Sequence, residues 1–266
     1  MKVILDTNIV LDVLLDRKPF AGPAAQIFSL AERSKIRGML CATTITTIDY
    51  LLSQALPGKD ARQTLRNLLS LFEVAAVDRF VARLRNADAG AAAPQVGDAM
   101  PGFLLPDHAG HLVSLEDLLE KGPVALTLHR GHWCPYCRIN ITALAQAHQD
   151  VAKTGGQVVA ILPDLQQFAE EFQAEAHAPF PVLSDVDNGY AAALNLLVWM
   201  GEEMTDLVRK LGIDLPSYQG NESWTFPIPA TFVIGGDGRI KARFVDPDYR
   251  KRMPIETLLD ALRNAC

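Results

Sequence analysis

The sequence predicts an α/β protein in two unequal parts, a short segment alternating strands with helices and a larger α/β unit after it. Three observations carry this. Short apolar runs alternate with stretches at helical spacing, a small-residue seam interrupts them, and a Cys-Pro-Tyr-Cys run directly follows an apolar strand.

In the first part, Val3-Ile4-Leu5 reads as a short buried strand, and Ile9–Asp16 and Ala24–Arg33 carry apolar residues at helical spacing. Gly38–Ala42 reads as a second strand, Thr46–Gln54 and Asp60–Leu71 as helices, and Phe72–Ala75 as a third strand. Strand, helix, strand, helix implies a parallel sheet. Residues 86–97, NADAGAAAPQVG, are small and polar with no apolar face, which reads as a linker. The expected division is therefore 1–85, a linker at 86–97, and a second domain at 98–266.

After the seam, Phe103-Leu104-Leu105 and Leu112-Val113 flank Pro106-Asp107-His108-Ala109-Gly110, a hairpin signal. Ser114 followed by Glu116 and Asp117 starts a short capped helix. Val124–Leu128 reads as a buried strand, Cys134–Lys153 as a helix, Val158–Leu162 as a strand and Leu165–Ala176 as a helix. Thr231–Ile234 and Ile240–Val245 are strands joined by Gly235-Gly236-Asp237-Gly238, and the amphipathic helix Ile255–Asn264 follows. No internal repeat is evident.

Composition narrows the function classes. The chain has 266 residues, 49% hydrophobic and 21% charged, with a formal net charge of −6. That balance argues against a broad basic surface for nucleic acid. No apolar stretch approaches the roughly 20 residues that span a bilayer, so no membrane partner is expected. Asp6 arrives before any secretory hydrophobic region could form, which predicts a cytoplasmic, reducing location. Four cysteines are too few for a disulfide scaffold, and Cys134 and Cys137 alone form a close pair.

The Trp133-Cys134-Pro135-Tyr136-Cys137 run lies where a strand turns into a helix. A thiolate there is stabilised by free backbone N–H groups and the helix dipole. Cys134 is the expected nucleophile, and Cys137, one helical turn inward, the resolving thiol. Pro135 suits the first helical turn, where its missing N–H costs nothing. Trp133 is expected to shield the sulfur or to pack in the core. Half of a zinc site and an inert buried pair are the competing readings, and His129 and His132 read as solvent-side loop residues.

Residues from about 93 to 266 resemble the alkyl hydroperoxide reductase/thiol-specific antioxidant branch of the thioredoxin superfamily, the peroxiredoxin-like proteins. The stretches that carry this are Pro106-Asp107-His108-Ala109-Gly110 with Val113-Ser114-Leu115, His129 through Cys137, and Pro229-Ala230-Thr231-Phe232-Val233-Ile234. The resemblance implies a thioredoxin-like fold, a central mixed sheet flanked by helices. It implies an antioxidant oxidoreductase reducing a small hydroperoxide or a protein disulfide, with an external thiol reductant and no bound cofactor. In that fold a cis-proline at the start of a late strand faces the cysteines, and Pro229 holds that place. Peroxidases of the family usually carry Thr or Ser three residues before the reactive cysteine, where Gly131 stands, and an Arg near the late strand, where Pro229-Ala230-Thr231 stands. Arg130 is the candidate for the missing positive charge. The buried acid of thioredoxins is replaced by Leu128.

Residues 1 to about 80 resemble the first half of a PIN-domain ribonuclease, on Leu5-Asp6-Thr7-Asn8, Leu11-Asp12-Val13-Leu14-Leu15, Ala42–Ile48 and Leu71-Phe72-Glu73-Val74. The resemblance implies carboxylates holding Mg²⁺ or Mn²⁺ for RNA cleavage, with Asp6 matching the first acid and Asp49 lying near the second. The second half of such a domain is missing, so the expectation is a weak metal site in a truncated, degenerate segment. A second copy of the chain is a candidate partner for its open sheet edge.

Overall fold

The computed structural model describes residues 2–33, 35–40, 42–55, 57–71 and 75–265. The chain divides into two compact units, Met1–Ala82 with Asp206–Gly212, and Arg83–Thr205 with Ile213–Cys266.

The first unit opens with β1 (Lys2–Leu5), α1 (Thr7–Leu14), α2 (Ala21–Glu32), β2 (Arg37–Leu40), α3 (Ala42–Ala55) and α4 (Gly58–Leu71). β1 and β2 pair in parallel, Leu5 opposite Leu40, as the alternation of strands and helices requires. Leu5, Val10, Phe28, Leu40, Ile48 and Leu68 form its buried core. Residues 72–74 of the predicted third strand lie outside the described residues, and Ala75 begins α5 (Ala75–Asn86) instead. Its buried Val77, Phe80, Val81 and Leu84 recur at helical spacing, a pattern that is present in the sequence.

The second unit begins with β3 (Leu104–Pro106), β4 (Leu112–Ser114), α6 (Leu115–Leu119) and β5 (Val124–Leu128). β3 and β4 form the predicted hairpin, and Ser114 caps α6 by accepting a hydrogen bond from Asp117 N at 3.0 Å. Next come α7 (Pro135–Gln146), α8 (His148–Lys153), β6 (Gln157–Leu162), α9 (Gln166–Ala176) and β7 (Val182–Ser184). The helix expected over 134–153 is thus broken at Ala147, which at φ −83° and ψ −2° is both the C-cap of α7 and the N-cap of α8. Neither glycine nor proline marks that break.

After β7 the chain forms α10 (Gly189–Ala193), β8 (Leu197–Trp199), α11 (Glu202–Lys210), α12 (Leu215–Gln219) and β9 (Thr225–Pro227). It ends in β10 (Ala230–Ile234), β11 (Ile240–Val245) and α13 (Ile255–Arg263). The central sheet has the order β11-β10-β5-β6-β7. β5, β6 and β7 run parallel, and β10 is antiparallel to both β5 and β11. This mixed sheet flanked by helices is the thioredoxin-like fold expected. All residues of β5 are buried, which explains its uninterrupted apolar run. The seam between the helical and sheet segments packs along β11: Ala93 is buried, Gly97 N donates to Ile240 O, and Arg243 donates to the carbonyls of Gly90 and Ala93. Among the described residues no helix is long and apolar enough to cross a membrane.

Candidate active site

The C-terminal end of β5 delivers His129-Arg130-Gly131-His132-Trp133 and then the first turn of α7, at the sheet edge where α/β folds build their sites. Cys134 is the N-cap of α7, with extended φ/ψ of −90° and 114°, and Pro135 occupies the first helical turn. Gly131 adopts φ +136°, and a Cβ there would lie 2.5 Å from Trp133 Nε1 and 2.7 Å from Asp164 Oδ1. The family's usual Thr or Ser has no room in this loop.

Both thiols are closed off from solvent, Cys134 at 1% exposure and Cys137 at 0%. Three donors converge on them. The Arg130 backbone N–H donates to Cys137 Sγ at 3.3 Å, Arg252 Nη2 to the same sulfur at 3.4 Å, and Arg130 Nη1 reaches Cys134 Sγ at 3.9 Å. Burial pushes the Cys134 thiol up. A hydrogen bond from the Cys137 thiol, the Arg130 charge, the Cys137 backbone N–H and the Arg252 charge together reverse this and bring it down to about 5. Cys137 is pushed up, first by burial and then by donating to and neighbouring the Cys134 thiolate. The pair is therefore one thiolate and one thiol at neutral pH, with the charge on Cys134.

Arg130 is only 2% exposed and sits inside an aromatic cage. Its guanidinium carbon lies 4.7 Å from the Trp133 ring centre, 4.4 Å from that of Phe226 and 3.9 Å from that of Tyr249. A desolvated cation–π contact contributes about 2 kcal/mol, so three of them offset much of the cost of burying this charge. Trp133 thus forms a wall of the cage around the arginine. Pro229 is buried just before β10, whose Ala230 pairs with Leu128, so its register places it beside His129. The described cis peptide is Lys18–Pro19, and the Ile228–Pro229 bond is trans, unlike the thioredoxin pattern.

His129 and His132, expected on the solvent side, are buried at 0% and 8% exposure. They turn inward because the β5–α7 loop folds over Phe172, whose ring meets both imidazoles edge-on. Burial and then the Arg252 charge hold His129 down to about 3, so it is neutral, with Nε2 3.1 Å from Thr127 Oγ1. The His132 ring lies 3.1 Å from Glu175 and 3.7 Å from Glu171, and Glu175 also pairs with Arg138 at 2.6 Å. Asp164, just past β6, accepts the His132 backbone N–H at 2.6 Å. Burial, assisted by the Cys134 charge, raises its carboxyl to about 8.

Arg252, Tyr249, Phe226 and Asp164 were not anticipated. Asp164 had a readable cue, an acid directly after a predicted parallel strand. Arg252 belongs to Arg250-Lys251-Arg252, a basic run that resembles any solvated turn.

In the first unit, Asp6 is exposed and N-caps α1, its Oδ1 accepting from Ile9 N at 2.9 Å. Asp12 pairs with Arg17 at 2.6 Å, and Asp49 lies exposed on α3. Among the described residues no group of three or more His, Cys, Asp or Glu side chains could hold a metal ion. The residues present do not fit the divalent-metal site that a PIN nuclease needs.

Comparison with known proteins finds two family profiles along the chain. The AhpC/TSA family profile matches residues 96–243, and a PIN domain profile matches residues 2–92. A peroxiredoxin (bcp) of Coxiella burnetii is 29% identical over 104 residues, spanning 39% of this chain and 68% of its own. A 1-Cys peroxiredoxin of Triticum aestivum is 24% identical over 179 residues, spanning 64% of this chain and 73% of its own. The crystal structure of the peroxidoxin BcpB of Mycobacterium tuberculosis superposes with a TM-score of 0.50 at 22% identity, covering 64% of this chain and 97% of that one. With the first profile spanning more than half of its length, the chain belongs to the AhpC/TSA family and is an enzyme of the thiol oxidoreductase class.

Proposed function

We propose that the chain reduces small hydroperoxides through a Cys134–Cys137 dithiol cycle. The observation that carries this is a Cys134 sulfur enclosed at 1% exposure beside the Cys137 thiol and 3.9 Å from the caged Arg130 guanidinium, groups that favour its thiolate. A peroxide of a few atoms enters such a site with small local motion, whereas a folded protein disulfide needs an exposed sulfur to meet.

The Cys134 thiolate attacks the terminal peroxide oxygen, an S–O bond forms, the O–O bond breaks, and the alkoxide leaves and takes a proton. Cys134 is then a sulfenic acid. Cys137 loses its proton and attacks the Cys134 sulfur; the S–S bond forms, the S–O bond breaks, and hydroxide leaves as water once protonated. Two external thiols, or one dithiol, supply two electrons and two protons to restore the dithiol and leave as a disulfide. The sulfurs carry every electron, so the cycle calls for no bound cofactor. Trp133 and Pro135 shape the first sulfur's surroundings, and Pro229 closes the adjacent strand end.

Residues 1–85 are a structural remnant in this proposal, with Asp6 and Asp12 engaged in a cap and an ion pair. Redox function belongs to 98–266, with 86–97 between them. Stopped-flow mixing of the reduced protein with hydrogen peroxide or cumene hydroperoxide, counting thiols before and after, tests the cycle. Loss of two thiols per chain that disappears in Cys134→Ser is the expected result. No reaction with either peroxide, alongside rapid reduction of insulin disulfides, overturns the peroxidase reading. Mg²⁺- or Mn²⁺-dependent RNA cleavage lost in Asp6→Asn would overturn the remnant reading.

A further inference from the structure

Cys137 has a cation aimed directly at it, although its own thiol stays protonated in the resting state. Arg252 lies between β11 and α13, with Nη2 3.4 Å from Cys137 Sγ. Its Nη1 donates to the carbonyls of Tyr249 and Lys251, and the turn that carries it is pinned by Arg250 on Asp248 and Lys251 on Asp246. Among the described residues no carboxylate pairs with Arg252, and the nearby His129 is neutral. This guanidinium is thus fixed by backbone carbonyls and directed at a sulfur that stays protonated while Cys134 is the thiolate.

We propose that Arg252 is the catalytic residue of the resolving step, activating Cys137 as nucleophile and holding it as leaving group when the disulfide is reduced. The proposal rests on the two-cysteine cycle above. In the reduced enzyme the Cys137 proton is held by burial, by its hydrogen bond to the Cys134 sulfur and by that sulfur's charge. Conversion of Cys134 to a neutral sulfenic acid removes the latter two. Arg252 and the Arg130 N–H remain, and both favour the anion. The trigger is therefore the oxidation itself: an arginine that in the reduced enzyme adds the smallest of the charges favouring the Cys134 thiolate becomes the direct counter-ion of a Cys137 thiolate. Arg130, 3.9 Å from Cys134 Sγ and caged by three rings, serves the first sulfur, so the two arginines divide the two chemical steps.

A quenched-flow single turnover at pH 7 with equimolar hydrogen peroxide separates the steps, with dimedone trapping the Cys134 sulfenic acid and mass spectrometry reading adduct and disulfide. Wild type is expected to show a transient adduct that gives way to disulfide. Arg252→Gln and the apolar, unbranched Arg252→Met are expected to form sulfenic acid at rates within about threefold of wild type, because Cys134 stays mostly ionised at pH 7. Conversion to disulfide should slow by about tenfold to a hundredfold, the range of a charge-assisted hydrogen bond. Arg252→Lys, which restores the charge, should recover most of that loss. Reduction of the Cys134–Cys137 disulfide by dithiothreitol should slow in Gln and Met by a similar factor, a readout that needs no peroxide. Unchanged disulfide formation and reduction in both variants, or a defect confined to sulfenic acid formation, overturns the proposal. Absence of a Cys134 sulfenic acid in wild type instead sinks the peroxidase cycle, and the dithiothreitol arm still decides the role of Arg252.

Discussion

The two units treat their suggestive side chains in opposite ways. In the first, the acids that resemble a nuclease site are engaged locally: Asp6 bonds three residues along its own chain, and Asp12 five residues along. In the second, Cys134 and Cys137 receive groups from far apart in sequence, Arg252 being 115 residues from Cys137. Local partners build a helix end. Distant partners build a chemical environment, because only the folded chain can hold them together against the entropy of separating them.

The largest expected effect tests this contrast directly. Cys134→Ser should lower peroxide consumption by about a thousandfold or more, whereas Asp6→Asn should leave it within twofold. A large loss from the aspartate would break the comparison.

Arg130→Met should slow peroxide reduction at pH 6 by roughly tenfold or more, with the rate rising through a higher pH than in wild type. The sign follows from the thiolate being the reactive form: wild type rises through about pH 5 and is flat above it. An unchanged inflection would mean that the Cys137 hydrogen bonds and Arg252 ionise Cys134 without Arg130.

Gly131→Thr, which restores the family's usual residue type, should destabilise the fold by about 2 kcal/mol or more, since φ is +136° and the Cβ meets Trp133 and Asp164. Thermal or urea unfolding reads it.

The buried pair Asp164 and Cys134 makes opposing contributions to stability against pH. Asp164 titrates higher folded, about 8, than an ordinary carboxylate, so its contribution is present at low pH and is lost as pH rises through 8. Cys134 titrates lower folded, about 5, than an ordinary thiol, so its contribution is present at high pH and is lost as pH falls through 5. Asp164→Asn should therefore make stability rise with pH between about 5 and 8, by at most about 1.4 kcal/mol per unit, where wild type is nearly level. A level profile in the variant would remove Asp164 from the site's electrostatics. The smallest effect is Asp6→Ala, expected to cost about 1 kcal/mol of stability as a lost helix cap with peroxide reduction unchanged.

Much of the fold is legible where local chemistry decides it. The β3–β4 hairpin, the Ser114 cap, the uninterrupted β5 and the paired β10 and β11 all follow from residue types at short spacing. The region between β7 and β9 is not, because its elements are short and are stabilised by contacts across the fold. Asp185, for example, accepts the backbone N–H groups of Tyr190 and Ala191 at the start of α10, a cap with no serine-type signature beside it. The site divides the same way. Cys134 and Cys137 announce themselves by spacing and position, Gly131 by departing from the family's usual residue and Leu128 by replacing the buried acid of thioredoxins.

Sequence alone determined the strand-to-helix junction, the cysteine pair on the first turn of α7 and the family to which they belong, because each depends on residues within one or two turns of chain. Tertiary structure decided which sulfur is charged, that Arg130 stands in a cage of Trp133, Phe226 and Tyr249, and that Arg252 faces Cys137. Those outcomes depend on burial and on the direction of long side chains. Both arise only when segments more than a hundred residues apart exclude water from one space.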